Sequence, residues 1–254
     1  MSGRGVVITG GTSGVGLATA QRLATDGATR IALVGRSVER GEKACAAVRA
    51  AHPECDVHFV AGDANDAGQA VAAATAARDL LGDVDVLVNS TTAFYVPRLL
   101  RDTPVEEIAA MLTDQALAPL HMCRAVLPWM ADRRSGSIVN VASDAAKVPT
   151  PGETVIGAAM AAIVTFTRTL AVEAKRDGIT VNAVTPSLIE GTLTGDRALA
   201  GGFSRKLFEK ARTQAHLGPT EVGDLAELIA FLVGPGAAKI TGQVISVNGG
   251  ISVA

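Results

Sequence analysis

Short apolar runs alternate with longer stretches of helical period along most of the chain. The runs Val6–Thr9, Ile31–Val34, Val57–Val60, Val84–Val88, Ser137–Val141, Thr180–Val184 and Val244–Val247 have the length of strands. Several are apolar on consecutive residues, as in a parallel strand covered by helices on both faces. Between them lie Leu17–Ala24, Val38–Ala50, Ala67–Leu81, Val105–Met130, Ile156–Lys175 and Val222–Leu232, which have the length and period of helices. This alternation predicts an α/β fold: a doubly wound, seven-stranded parallel sheet of Rossmann type. No Pro/Ser-rich or low-complexity tract interrupts it, so residues 1–254 are expected to form a single domain. The rhythm breaks at 187–218, where Gly191, Gly195, Gly201 and Gly202 surround an expected short helix near Arg205–Arg212. A long excursion beyond the carboxyl end of a strand is where such folds place a lid.

Composition narrows the function classes. Hydrophobic residues are 48% of the chain and aromatics only 3%, so the core must be built from Ala, Val, Leu and Ile. Lys plus Arg number 23 against 25 Asp plus Glu, which leaves no electrostatic footprint for nucleic acid or an anionic membrane. The longest apolar run, Thr154–Thr167, is shorter than the roughly 20 residues of a bilayer span. With a strand at Val6 and no leader before it, a cytoplasmic protein is expected. Cys45, Cys55 and Cys123 are read as reduced packing residues and, like His52, His58, His121 and His216, show no metal-like spacing, so no metal centre is expected.

Chemistry enters at Thr9-Gly10-Gly11-Thr12-Ser13-Gly14-Val15-Gly16, between the first strand and the first helix. Glycines there let the backbone turn sharply and approach a pyrophosphate held on the free N–H groups of the helix. Arg36 closes the second strand, where a guanidinium pairs with a 2′-phosphate and an acid would bind ribose hydroxyls. The spacing Thr-Gly-x-x-x-Gly-x-Gly resembles the short-chain dehydrogenase/reductase family. The resemblance continues through Asp63, Asp85-Val86-Leu87-Val88-Asn89, Ala125-Val126-Leu127-Pro128, Gly136–Ser143, Gly178–Val184 and Gly242–Gly250. It implies hydride exchange between NAD or NADP and an alcohol or ketone, with a Tyr as acid/base, a Lys that lowers its pKa, a Ser on the substrate oxygen and a relay Asn. It also implies dinucleotide contacts by Gly10, Ser13, Gly14, Gly16, Arg36, Asp63 and Asn89, with Arg36 leaning towards NADP.

The catalytic half departs from that pattern. Thirteen residues after Ser143 the Tyr position holds Ile156, and four further on the Lys position holds Met160. An alkyl chain moves no proton, and a thioether carries no charge to depress a neighbour's pKa. The relay position holds Gln115, so only Ser143 of the four persists, and a Ser without a base is not an activated nucleophile. Asn89-Ser90-Thr91-Thr92 stands where the family has Asn-Asn-Ala-Gly, and Pro186-Ser187 where it has Pro-Gly. The β-branched Thr92 is expected to crowd the nicotinamide end and leave the chain's own cofactor site weak or empty.

Three functional readings follow. The first is a non-catalytic subunit of a hetero-oligomeric dehydrogenase, paired in a heterotetramer with an active sister chain that carries the cofactor chemistry. The defect resembles that of two-subunit family members oxidising a hydroxyacyl-CoA in aromatic degradation. The second is a non-redox or atypical enzyme using Tyr95, Lys147 or Glu153. The third is a dinucleotide-sensing regulator. For the first, the apolar helix from Ile156 is the expected subunit contact, through Ala159 and Ile163, and the tail Gly250–Ala254 is expected to reach towards a neighbour.

Overall fold

The structure is a computed structural model that describes residues 3–192 and 202–254. Seven strands form one parallel sheet: β1 (Gly5–Thr9), β2 (Arg30–Gly35), β3 (Asp56–Ala61), β4 (Val86–Asn89), β5 (Gly136–Val141), β6 (Ile179–Pro186) and β7 (Val244–Val247). Their order is β3-β2-β1-β4-β5-β6-β7, with every neighbouring pair parallel. The chain winds outward in one direction from β1 and in the other from β4. The crevice at this switch point, at the carboxyl ends of the strands, is where such sheets bind ligands.

The α-helices among the described residues are α1 (Gly14–Thr25), α2 (Val38–Ala51), α3 (Ala67–Leu81), α4 (Val105–Asp132), α5 (Thr154–Ala174), α6 (Gly202–Gln214) and α7 (Val222–Val233), and all but α6 pack on the sheet. Alternation within each strand splits the core in two. Val6 and Ile8 of β1 pack with Leu23, Val48, Leu225 and Ile229 under α1, α2 and α7. Val7 packs with Ala70, Met122, Val126 and Leu170 under α3, α4 and α5. The alanines that dominate the second layer bring helix backbones close to the sheet. All three cysteines are buried and unpaired, and burial pushes the Cys123 thiol up to about 12, which makes it inert.

A polar chain crosses this core. Thr9 Oγ1 donates to Asn89 Oδ1, Asn89 Nδ2 to Asn140 Oδ1, and Asn140 Nδ2 to Thr167 Oγ1, each at 2.9 Å. All four side chains are buried, so every link satisfies a group that would otherwise be costly to desolvate. The chain ties β1, β4, β5 and α5 together beneath the crevice.

The helix α5 is long and apolar enough by composition to cross a membrane, yet Val155, Ala159, Met160, Ile163, Val164 and Leu170 are among the residues it buries within the domain. Its outward face carries Ala158, Ala162, Thr165 and Thr169. The expectation that Ala159 and Ile163 meet another subunit is therefore corrected: they are 0% and 1% exposed inside this chain's own core. Of the excursion at 187–218, the expected short helix is α6, Gly191 adjoins the crevice, and Gly195 and Gly201 lie outside the described residues.

Candidate active site

A cleft of about 590 Å³ runs across the carboxyl ends of the strands, from Arg36 and Arg40 at one end, past Thr12 to Val15, to Ser143, Ile156 and Met160 at the other. The first end is built for a phosphate-bearing ligand. A Cβ on Gly16 would stand 2.4 Å from the Gly10 carbonyl, and one on Gly10, whose φ is +69°, would stand 2.3 Å from the Ser90 carbonyl. Only glycine permits this closeness of loop, helix and neighbouring strand. Ser37 and Asp66 cap α2 and α3 through their side chains, whereas Ser13 makes no such bond at α1. The first turn of α1 is thus left without a side-chain cap where Ser13, Gly14 and Val15 line the cleft, a place suited to an anion.

Of the expected dinucleotide contacts, Gly10, Ser13, Gly14, Arg36 and Asp63 line the cleft. Arg36 Nη1 stands 3.7 Å from Asp63 Oδ2, and Arg40 adds a second guanidinium. Two expectations are corrected. Gly16 does not line the cleft but lets α1 pack against the loop. Asn89 does not reach it either: both ends of its amide are used in the buried polar chain, and it is 1% exposed. Thr91 and Thr92 line the cleft between its two ends, so the side chain expected to crowd the nicotinamide stands on the cleft wall. The Thr92 hydroxyl lies 3.2 Å from the Ala93 carbonyl and 3.4 Å from Gln115 Oε1. The residues at the Gly10–Gly16 end therefore fit the pyrophosphate of a nicotinamide dinucleotide.

At the far end the four catalytic positions converge, and only one carries a reactive group. Ile156 and Met160 line the cleft one helical turn apart on α5, with Met160 only 6% exposed. The Ser143 hydroxyl accepts from the Ala145 N–H at 3.2 Å. Gln115 is committed elsewhere: its Nε2 donates to the Ala93 carbonyl at 2.9 Å and its Oε1 accepts from the Ala93 N–H at 3.3 Å. That two-point clasp pins the loop after β4, a structural use of the amide the sequence did not signal.

The substitute acid/base candidates separate. Lys147 is not in the cleft. Its ammonium donates to Ser246 Oγ at 2.5 Å and to the Ala254 carbonyl at 3.0 Å, and lies 3.5 Å from Asp144 Oδ1. Asp144 in turn accepts from Ser246, Asn248 and Ser252, so the tail expected to reach a neighbour folds back on its own chain. Tyr95 and Glu153 do line the cleft, and the Tyr95 phenol donates to the Gly152 carbonyl. Burial raises the Tyr95 pKa, and nearby Glu153 adds to the shift.

Burial also raises the Glu153 pKa, against a smaller opposing effect of Thr150. Burial wins although Glu153 starts α5, where the helix dipole favours an anion. The folded chain therefore holds a proton that the unfolded chain has released, in the interval just above the ordinary glutamate value, and stability falls as pH rises through it. Glu153→Gln is expected to raise the melting temperature at pH 7, by roughly 2–4 °C for each kcal/mol recovered, and to converge with the parent below about pH 4. Melting curves across that pH range check it; a variant that melts lower at pH 7 contradicts the burial argument.

The sequence profile of the short chain dehydrogenase family matches residues 4–199. The chain belongs to the short-chain dehydrogenase/reductase family. It is 31% identical to 2-(R)-hydroxypropyl-CoM dehydrogenase of Xanthobacter autotrophicus, over 97% of each chain. It is 32% identical to a 3-oxoacyl-[acyl-carrier-protein] reductase of Haemophilus influenzae, over 99% of each. Among solved family structures, levodione reductase superposes with a TM-score of 0.92 at 29% identity over 98% of both chains. The Brucella melitensis 3-ketoacyl-(acyl-carrier-protein) reductase in complex with NADH gives 0.88 at 30% identity over 99% of both. These family relatives are oxidoreductases by name, and the sheet order and cleft described here are those of an oxidoreductase of this family.

Proposed function

We propose that this chain is a non-catalytic subunit of a hetero-oligomeric short-chain dehydrogenase whose active sister carries the Tyr and Lys. The observation that carries the reading is the pair Ile156 and Met160, lining the cleft beside Ser143 where the family chemistry calls for a proton donor and a cation. A bound nicotinamide dinucleotide supplies or accepts the hydride in this family. In this chain the glycine loop and the first turn of α1 would hold its pyrophosphate, Ser143 would offer a hydroxyl to a substrate oxygen, and nothing at Ile156 or Met160 moves the proton that must accompany the hydride. The outward face of α5, small and uncharged at Ala158, Ala162 and Thr165 and bearing Arg168 further along, is the surface offered to the sister. The arrangement resembles the two-subunit dehydrogenase for 2-[hydroxy(phenyl)methyl]succinyl-CoA of anaerobic toluene degradation. Two relatives named for substrates on a sulfur carrier, CoM and acyl carrier protein, support a carrier-bound alcohol such as a hydroxyacyl-CoA for the complex. Purification of the tagged chain from its native host tests the reading. A stoichiometric second family member with an intact Tyr-x-x-x-Lys supports it; a homo-oligomer with its own dehydrogenase turnover overturns it.

The cofactor preference of the chain's own cleft is NADP, because Arg36, just after β2, and Arg40, in the first turn of α2, both line it. Charge-assisted hydrogen bonds contribute about 1.5–3 kcal/mol each. Arg36→Ala with Arg40→Ala is expected to weaken NADP binding about 100-fold and NAD binding about threefold or less, as read by titration calorimetry. Equal losses for both cofactors contradict a 2′-phosphate site.

A further inference from the structure

At the far end of the cleft lies a carboxyl group that the dehydrogenase chemistry of the family does not use. Glu153 faces both the main cleft and a small adjoining cavity of about 50 Å³, which it shares with Ser143, Ser187 and Phe208. No cation pairs with it among the described residues. Lys147, the nearest in sequence, is held by Asp144 and Ser246, and Arg98 is paired with Glu107. Among the described residues, the cations lining the cleft are Arg36 and Arg40, in the stretch after β2 that carries the phosphate-binding end. The small cavity takes Phe208, Val148 and Ile251 beside the polar Ser143, Asp144 and Thr150, and the main cleft that Glu153 lines carries Tyr95, Ile156 and Met160.

A carboxyl with a hydrogen bond from Thr150 but no cation partner is still costly in such surroundings. It becomes favourable when a ligand brings the missing charge. A carboxylate in a low-dielectric pocket binds an ammonium through a charge-assisted hydrogen bond, and aromatic faces add cation–π attraction. A carboxylate-bearing ligand meets the opposite: like-charge repulsion with no cation to relieve it.

We propose that the Glu153 end of the cleft binds a small hydrophobic amine, with the ammonium on the Glu153 carboxylate and the apolar body against Ile156, Met160 and Phe208. The site goes beyond the non-catalytic reading above and does not depend on it, since no bond is made or broken. It gives a cleft without dehydrogenase acid/base groups a ligand of its own, different in charge from an acidic acyl-CoA substrate of the complex.

Three probes of one shape test the charge selectivity: benzylamine, benzyl alcohol and benzoate, titrated calorimetrically into the full-length chain near neutral pH. Benzylamine is expected to bind at least about tenfold more tightly than the other two, the ratio that one charge-assisted contact supplies. Glu153→Gln is expected to weaken benzylamine about tenfold or more and leave benzyl alcohol within about twofold. Benzoate binding as tightly as benzylamine, an unchanged benzylamine affinity in the variant, or no benzylamine binding at millimolar concentration overturns the proposal. The parent's own selectivity decides the matter even if the variant misfolds. Failure here leaves the subunit reading standing, because that reading is tested by partner and turnover instead.

Discussion

Given NADP or NAD and a panel of ketones and secondary alcohols, the purified chain alone will transfer no hydride above the uncatalysed rate. A positioned acid/base typically contributes about 10²–10⁴-fold, and both the donor and the cation that tunes it are replaced here by Ile156 and Met160. Tyr95 does not substitute, because its phenol is bound to the Gly152 carbonyl and its pKa is raised, opposite to the shift a proton donor at neutral pH needs. Lys147 does not substitute for the missing cation, because it is tied to Ser246 and Asp144 away from the cleft. Restoring Ile156→Tyr and Met160→Lys together is expected to recover less than about 1% of a related reductase's turnover, since Gln115 remains clasped to Ala93. Spectrophotometry at 340 nm reads both experiments. Robust turnover by the parent chain contradicts the non-catalytic reading, and full rescue by the double variant contradicts the role given to Gln115.

Two neighbouring positions on α5 will respond to a charge in opposite ways. Ala159 is fully buried against Ile163, Val164 and Ala116, so Ala159→Glu places an unpaired carboxylate in the core. Such a charge costs about 3–5 kcal/mol, against a total stability of about 5–15 kcal/mol. The variant is expected to lose most of its cooperative unfolding transition, or to fail to accumulate as soluble protein. Ala158, one residue earlier, is exposed, and Ala158→Glu is expected to change the stability of the isolated chain by about 0.5 kcal/mol or less. Mixed with the sister, however, the Ala158→Glu variant will elute as a separate chain in size-exclusion chromatography. If it stays assembled, the outward face of α5 is not the contact; if Ala159→Glu folds normally, the assignment of its inner face is wrong.

Much of the fold was legible because its signals are local. Consecutive apolar residues marked buried strands, and β7 and α3 have the bounds their apolar patterns predict. At β4 the prediction began too early: Val84 is fully buried, but the ladder starts at Val86. The helix α5 showed where hydropathy alone runs out. Alanine counts as apolar on either face, so the first half of α5 gave no direction, and only packing showed that Ala159 points in and Ala158 out. The site divided in the same way. Ile156 and Met160 were readable by counting from Ser143, since spacing on one strand–helix unit is conserved by geometry. The roles of Asn89, Gln115 and Lys147 were not, because each depends on a partner far along the chain: Asn140, Ala93 and Ser246. One clue was present for Asn89, since Asn140 stands directly opposite it in the ladder between β4 and β5.

The clasp between Gln115 and Ala93 has a bearing on history. A glutamine spans both the N–H and the carbonyl of Ala93, and an asparagine, shorter by a methylene, does not reach both. Returning to the family residue at this position would free an amide for proton relay while loosening the loop after β4 that the longer side chain now pins. Yet the freed amide would confer nothing without an acid at Ile156 and a cation at Met160, which lie on a different helix and require separate changes. Each of these changes is thus expected to be neutral or harmful when made alone. The extra methylene thus ties the position of the loop after β4 to the loss of a free amide in the cleft, two properties that a single substitution cannot change separately.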